Sequence, residues 1–215
     1  MVVNVVANPE GRTALTRQNF AGFDMNRDYI TQSQPEVRAV VEQIGRWNPL
    51  VLLDLHGFYS RYVVPDPGTG PDNPNYEDDE LFFDWNLELA FTCEAMLWEN
   101  MGIPVWIPYR DWGFGDWDGW APIYTDMYSW LYGTLGQCPE THDRGWDGVE
   151  AHYWVCWTVL NFVVENKDEL MHDKIEVFRR GVLGLDTTDA EMPWAYLIPH
   201  ESMPVSYTHL TLPTN

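Results

Sequence analysis

Positive charge is scarce in this 215-residue sequence, where 12 lysines and arginines face 33 aspartates and glutamates and the formal net charge is -21. This excess of negative charge argues against nucleic acid or an anionic membrane surface as a partner. No apolar run reaches the ~18 residues that a membrane-spanning helix needs. The three cysteines, Cys93, Cys138 and Cys156, are spaced neither as a CxxC metal motif nor as a disulfide framework, so they leave the compartment open.

Signals for export are also missing from the first residues. MVVNVVANPEGR has no basic region and no apolar core ahead of a cleavage site. What the sequence does contain is a globular composition, 45% apolar with 12 Trp, 11 Tyr and 9 Phe, which is enough for one sizeable core. Residues 201–215 continue no pattern, and we expect them to be a non-native or disordered tail.

The apolar periodicity predicts an α/β fold. Residues 1–8 are predicted to form a strand that ends at the turn NPEG, and residues 33–47 an amphipathic helix opened by a capping box of Ser33 and Glu36. Residues 50–56 predict a second, buried strand, so the order is the strand–helix–strand of α/β domains. Further helices are predicted over 77–101 and 147–170, the latter with a second capping box of Asp147 and Glu150, and further strands within 102–110 and 132–142.

Five short motifs follow one another along the chain: NPEGR (8–12), TRQN (16–19), GFDMNRDY (22–29), DLHG (54–57) and CPETH (138–142). Their order and spacing resemble the zinc carboxypeptidases (carboxypeptidase A-like metallopeptidases) over residues 1 to about 170. The resemblance implies a three-layer α/β/α sandwich around a mixed, twisted sheet, incomplete here, with residues 1–200 as a partial catalytic domain. It also implies Zn²⁺, a peptide or peptide-like substrate with a free C-terminal carboxylate, hydrolysis of the C-terminal peptide bond, and a secreted or periplasmic protein.

The resemblance makes His56 a zinc ligand and Glu140 the general base. Taken alone, a histidine at a strand end is more often structural, but neutral imidazole suits zinc. Asp54 is expected on the same side of the strand as His56, where it could orient the ring. Glu140 would take a proton from the attacking water, and it is preferred to Glu150, which a helix cap already explains.

The resemblance also makes Asn26 and Arg27 the pair that binds the substrate carboxylate. A guanidinium fork holds a carboxylate through two hydrogen bonds, and a side-chain amide adds a donor. The competing interpretation is a surface arginine paired with Asp24 or Asp28, either of which could instead hold the arginine in place.

Two further roles follow from the resemblance. Arg17, in preference to Arg12, would stabilise the negative oxygen that develops on the scissile carbonyl. Tyr124, with Tyr109 as the alternative, would cover the substrate from a mobile loop, and the glycine-rich aromatic segment 111–124 is the candidate for that lid. Packing in an aromatic core is an equally good explanation for these tyrosines.

The resemblance implies two more zinc ligands in an H-x-x-E motif. This sequence contains no H-x-x-E motif, and His172 begins the differently spaced H-x-x-x-E. His142 is a weaker candidate for a residue that lines the site. His152 lies within the predicted helix 147–170, and we expect its side chain to be packed in the core. One ligand does not hold catalytic zinc, which keeps three from the protein. We therefore expect an inactive fragment, truncated at both ends, with Met1 as an internal start.

Three other functions stay open on the sequence. A related hydrolase on the same scaffold would cleave cell-wall peptides or acyl-amino acids and would use Arg27 in the same way. A zinc-free binding module would keep the carboxylate pocket without the chemistry, although Glu140 argues against it. An aromatic-rich carbohydrate binder rests only on the 12 tryptophans.

Overall fold

The structure is a computed structural model, and it describes residues 1–57, 62–63, 84–111, 121–141 and 145–183. The helices of this part are α1 (Pro9–Ala14), α2 (Pro35–Trp47), α3 (Asp84–Met101), α4 (Pro108–Asp111), α5 (Thr125–Ser129) and α6 (Trp146–Leu183). The strands are β1 (Val51–Leu53), β2 (His56–Gly57), β3 (Tyr62–Val63), β4 (Val105–Trp106), β5 (Leu135–Gln137) and β6 (Glu140–Thr141). No helix in the described ranges is both long and apolar enough to cross a membrane.

Two segments of the chain run side by side in one register. β1 pairs in parallel with β5, and β2 pairs in parallel with β6. Val51 lies beside Leu135 and His56 beside Glu140, so the offset along the chain is the same in both strand pairs. Backbone hydrogen bonds of 2.9 Å continue the pairing between the two strand pairs. We call this pairing of 51–57 with 135–141 the central ladder.

The sheet is mixed, as predicted. β3 lies antiparallel to β6 and parallel to β4, which gives the order β2-β6-β3-β4. These strands and their helices form an α/β fold.

Helices pack on both faces of the central ladder. Successive side chains of a strand point to opposite faces. On one face, the buried Gln137 side chain donates a 2.8 Å hydrogen bond to Asn86 of α3. On the other face, α5 lies so close that the Asp126 carbonyl sits directly over Gly136. The main core lies between the ladder, α3 and α6, and includes Leu89, Leu97, Ile107, Val155 and Phe162.

α2 forms where its periodicity predicts, but its cap is different. Pro35 stands in the first turn, and the buried face is Val37, Val41 and Ile44. The predicted capping box is wrong, because Gln34 is the N-cap residue and no side chain caps the helix. Ser33 instead donates its hydroxyl to Asp28 at 2.7 Å, and Asp28 also accepts the backbone amide of Gln34 at 2.8 Å. Asp28, from the preceding turn, thus accepts the hydrogen bonds from the start of α2 that the capping box assigned to Glu36.

Two other predicted boundaries are wrong. Residues 1–8 form no strand; they are irregular up to Asn8, whose side chain caps α1 by accepting the Gly11 amide at 2.9 Å. An apolar segment becomes a strand only where another strand pairs with it, and no described strand pairs with this one. α6 begins at Trp146, so Asp147 lies in its first turn and does not cap it, and the helix continues well past the predicted end, to Leu183. The predicted loop 60–76 lies almost wholly outside the described residues.

Candidate metal site and carboxylate-binding turn

His56 is held between two carboxylates. Its Nε2 lies 2.9 Å from Oδ2 of Asp54, and its Nδ1 lies 3.5 Å from Oε1 of Glu140. The ladder explains this, because Asp54 and His56 alternate with Leu55 to share a face, while the register sets Glu140 level with His56. With Nε2–H donated to Asp54, the lone pair of Nδ1 is available for a metal, an arrangement common for histidine ligands.

Cys138 is the third member of this cluster and was missed on the sequence. The ligand atoms of His56, Cys138 and Glu140 all lie within 4.8 Å of one another. The Cys138 thiol is buried beside the His56 ring. The register of the ladder is what relates Cys138 to the site. Cys138 follows Asp54 by the same number of residues as Glu140 follows His56, so each pair lies side by side across the ladder. Cysteine spacing alone cannot show this.

The donors of this cluster fit a divalent cation. Oε2 of Glu140 is buried and has no hydrogen-bond partner among the described residues. A buried carboxylate oxygen without a donor is energetically unfavourable unless a cation or a proton compensates it. Imidazole, thiolate and carboxylate are all zinc ligands.

The cluster strongly perturbs its own titration. Burial opposes a charge on His56, but Asp54, Cys138 and Glu140 raise the pKa of its ring well above the ordinary range. Burial likewise opposes ionisation of Asp54, yet the His56 charge and hydrogen bond lower the pKa of that carboxyl. Burial and the nearby Asp54 raise the pKa of the buried Asp126 to about 6. Two acidic side chains thus flank the His56 ring, in the place where a metal ion would supply positive charge.

His152 positions His56 through the backbone. It lies in α6 as predicted, with Nε2 2.7 Å from the His56 carbonyl oxygen and Nδ1 3.0 Å from the Tyr62 hydroxyl. Burial lowers the pKa of His152, which favours the neutral ring. Glu150 is exposed on α6 and takes no part in the cluster, while His142 lies outside the described residues.

Asn26 and Arg27 lie together in a 3-10 turn, Met25–Arg27. Oδ1 of Asn26 accepts two hydrogen bonds from Thr125, from the backbone amide at 2.8 Å and the hydroxyl at 3.0 Å. Because a backbone N–H can only donate, this contact fixes the orientation of the Asn26 amide and leaves its NH₂ group for a ligand. The Arg27 guanidinium lies 4.5 Å from the centroid of the Tyr124 ring. We call Asn26 and Arg27 with this support the carboxylate-binding turn.

The acidic neighbours of Arg27 are engaged elsewhere. Asp24 accepts Nε of Arg17 at 2.6 Å and the backbone amide of Asn26 at 3.1 Å. Asp28 accepts hydrogen bonds from residues 31, 33 and 34. Neither pairs with Arg27, so the interpretation of Arg27 as one half of a surface ion pair is wrong, and so is the idea that either acid holds it in place.

Arg17 joins the turn through Asp24 and makes no contact with the described metal cluster. Its side chain is 57% exposed. Arg12, its alternative, is exposed in the last turn of α1. Tyr124 is buried beneath Arg27 at the start of α5, where it supports the guanidinium. The Tyr109 side chain and residues 112–120 of the predicted lid lie outside what the structure describes.

Thr125 connects the carboxylate-binding turn to the metal cluster. Besides its two hydrogen bonds to Asn26, Thr125 lies beside Asp54, the partner of His56, and its side chain lowers the pKa of that carboxyl. Neighbouring side chains therefore lead from Asn26 through Thr125 and Asp54 to His56. Sequence reasoning missed Thr125 and Asp126 because residues 111–130 show no regular period.

Comparison with known proteins finds a likeness in structure. No protein-family model matches the chain, and no curated protein matches its sequence. A metallo-carboxypeptidase from Pseudomonas aeruginosa, solved with (2-guanidinoethylmercapto)succinic acid, matches with a TM-score of 0.52 at 23% identity over 76% of this chain and 45% of its own. A metallo-carboxypeptidase from Burkholderia cenocepacia matches with a TM-score of 0.52 at 19% identity over 76% and 43%. The chain thus spans less than half the length of these neighbours, and the α/β fold it forms is like part of the metallo-carboxypeptidase fold.

Proposed function

We propose that this chain is part of a zinc-dependent metallocarboxypeptidase that hydrolyses C-terminal peptide bonds. The observation that carries the proposal is the arrangement in which Thr125 fixes Asn26 and lies beside Asp54, the partner of His56, with Glu140 on the far side of the ring. It joins a group suited to a substrate carboxylate to a group suited to a metal. The fold shared with the two metallo-carboxypeptidases supports the same proposal.

His56 and Glu140 have separate roles in the proposed reaction, as metal ligand and as general base. Zinc held at His56 would supply a Lewis acid and an activated water. Asp54 keeps the Nδ1 lone pair of His56 pointed at the metal position. Glu140, beside that position, accepts the proton of the attacking water and delivers it to the leaving amine. Its Oε2, which no described donor contacts, is the oxygen that would receive this proton.

The substrate terminus is bound by the carboxylate-binding turn. The Arg27 guanidinium offers two parallel N–H donors to a carboxylate, and the fixed Asn26 amide offers a third. Tyr124 holds the guanidinium from below through a cation–π contact. Arg17 uses Nε to contact Asp24, which leaves its terminal nitrogens for the carbonyl oxygen of the scissile bond.

Replacing Arg27 tests this assignment by binding alone. We expect the zinc-loaded chain to bind an N-acylated dipeptide with a free C-terminal carboxylate more tightly than the C-terminal amide of the same dipeptide. Arg27→Ala should weaken binding of the free acid by about 10–100-fold, the range for losing charged hydrogen bonds, and should leave the amide unaffected. Arg27→Lys, which keeps the charge but not the fork, should fall between. Titration calorimetry measures the affinity of the parent chain and of both variants for both peptides.

Arg46→Ala is the matched control, because Arg46 is an exposed arginine at the end of α2. It should bind both peptides like the parent chain. A preference for the free acid that survives in Arg27→Ala would contradict the proposed pocket. A preference that depends on Arg27 but not on zinc would favour the non-catalytic binding module.

A further inference from the structure

We infer that Cys138 is a metal ligand, and that His56, Cys138 and Glu140 together form a three-donor metal site within this chain. The inference rests on the proposed metal position at His56. It departs from the ligand set that the resemblance implies, in which His56 is the one ligand this chain supplies. The sequence led us to expect only one metal ligand in this chain, whereas the inferred site has three.

The central ladder is what brings the three donors together. Its constant register sets Cys138 level with Asp54 and Glu140 level with His56. Asp54 and His56, and likewise Cys138 and Glu140, stand two positions apart on the two paired segments, so their side chains share one face. The backbone of this stretch is fixed by hydrogen bonds of 2.9 Å from the amides of residues 54 and 56.

The spacing of the donor atoms is close to that of a zinc site. Bonds of about 2.0–2.3 Å in a tetrahedron place two ligand atoms roughly 3.5 Å apart. His56 Nδ1 and Glu140 Oε1 already lie 3.5 Å apart, and the whole cluster fits within 4.8 Å. The largest separation in the cluster therefore exceeds the spacing of a tetrahedral site by only about 1 Å.

The chemistry of each donor suits this use. Nδ1 of His56 is the nitrogen that Asp54 leaves unoccupied, and Oε2 of Glu140 has no described donor. The thiol of Cys138 would bind as thiolate, forming a sulfur–metal bond and releasing its proton to solvent. Three protein donors leave the fourth position of a tetrahedral ion open to water, as in catalytic sites. Glu140 is a ligand only in this three-donor site; in the peptidase proposed above, where the H-x-x-E pair would supply the other ligands, Glu140 is the general base.

The other two cysteines differ from Cys138 in their surroundings. Cys93 is buried in the apolar core, and Cys156 is half-buried on α6. Among the described residues, His56, Cys138 and Glu140 are the one group of three metal-ligating side chains this close together. Cys156→Ser is therefore a matched control for Cys138→Ser.

Cobalt is the probe, because a cobalt–thiolate bond has its own absorption. Titrating the reduced chain with Co²⁺ should give one bound ion and a sulfur-to-cobalt charge-transfer band in the near ultraviolet. Cys138→Ser should lose the band and weaken Co²⁺ binding by at least about 10–100-fold, the loss typical even for groups one shell further from a metal. Cys156→Ser should keep both. Native mass spectrometry with Zn²⁺ gives the stoichiometry, and far-ultraviolet circular dichroism shows that each variant is folded.

Two results would overturn the inference. If Co²⁺ binds through His56 but without the band, and equally well in Cys138→Ser and Cys138→Ala, sulfur is not a ligand and the proposed peptidase site at His56 stands. If the folded parent chain binds no Co²⁺, the three donors do not form a site. In that case the proposed function is tested by the other experiment, the dependence of carboxylate binding on Arg27.

Discussion

Gly136→Ala is expected to destabilise the protein by about 3 kcal/mol or more, the upper end of the range for overpacking a core. A Cβ at this position would lie 2.1 Å from the Asp126 carbonyl oxygen and 2.6 Å from Oγ of Ser129. The nearest atom is backbone, so no side-chain rotation relieves the clash. α5 would have to move off the ladder, and it carries Thr125 and Asp126 with it. The variant should therefore lose metal binding as well as stability, since Thr125 supports Asp54.

Urea denaturation followed by tryptophan fluorescence measures the free energy of unfolding, and Gly45→Ala is the control. Gly45 lies within α2, where an added Cβ meets nothing nearer than the Tyr132 ring at 3.4 Å. Alanine should stabilise that helix by about 0.5–1 kcal/mol, because it restricts the unfolded chain. A Gly136→Ala protein as stable as the parent would mean that α5 does not contact the ladder in solution.

The sequence predicted those parts of the fold that depend on local pattern. The apolar period of α2 and the apolar run of 50–56 are local signals, and both elements form close to where they were expected. The two capping boxes failed because competing acceptors lie outside the motif: Asp28 binds the residues just before α2, and α6 starts one residue before Asp147. Such competition depends on tertiary contacts that no window of a few residues contains.

The site was predictable in part, for the same physical reason. His56 and Glu140 were expected together, and the ladder sets them side by side. Cys138, Thr125 and Asp126 were missed, because their importance depends on the register between two segments far apart in the sequence and on the approach of α5 to Gly136. The assigned roles of Arg17, Arg27 and Tyr124 stay predictions, although the structure gives each of them a definite partner.

Lys174 fixes the end of the ladder opposite to the site. Its buried ammonium donates to the carbonyl oxygens of Asn48 at 3.2 Å and Pro49 at 2.7 Å, and to the Thr134 hydroxyl at 3.1 Å. These residues directly precede β1 and β5, so α6 ties together the two strands whose far ends carry the metal cluster. No described carboxylate pairs with this ammonium, and burial lowers the pKa of Lys174 from 10.5 to about 8.

The shift predicts a pH dependence of stability that Lys174→Met removes. Between pH 8 and 10.5 the folded protein releases this proton while the unfolded chain keeps it. The unfolded state then binds more protons, so the contribution of Lys174 to the free energy of unfolding rises with pH. At 1.36 kcal/mol per pKa unit, the rise is at most about 3 kcal/mol. Near pH 7 the variant should lie within about 1 kcal/mol of the parent, since methionine removes a buried charge and Thr134 still donates to Pro49.

The quantity to measure is the difference in unfolding free energy between parent and Lys174→Met, from urea curves at pH 7, 8, 9 and 10. Buried groups such as Tyr29 and Cys93, whose pKa values burial raises, weaken both proteins equally at high pH and cancel in this difference. The difference should grow in favour of the parent above pH 8, whereas Lys167→Met, at an exposed position of the same helix, should show none. A difference that stays constant from pH 7 to 10 would mean that the Lys174 ammonium keeps an ordinary pKa, and that its three hydrogen bonds compensate fully for its burial beneath the ladder.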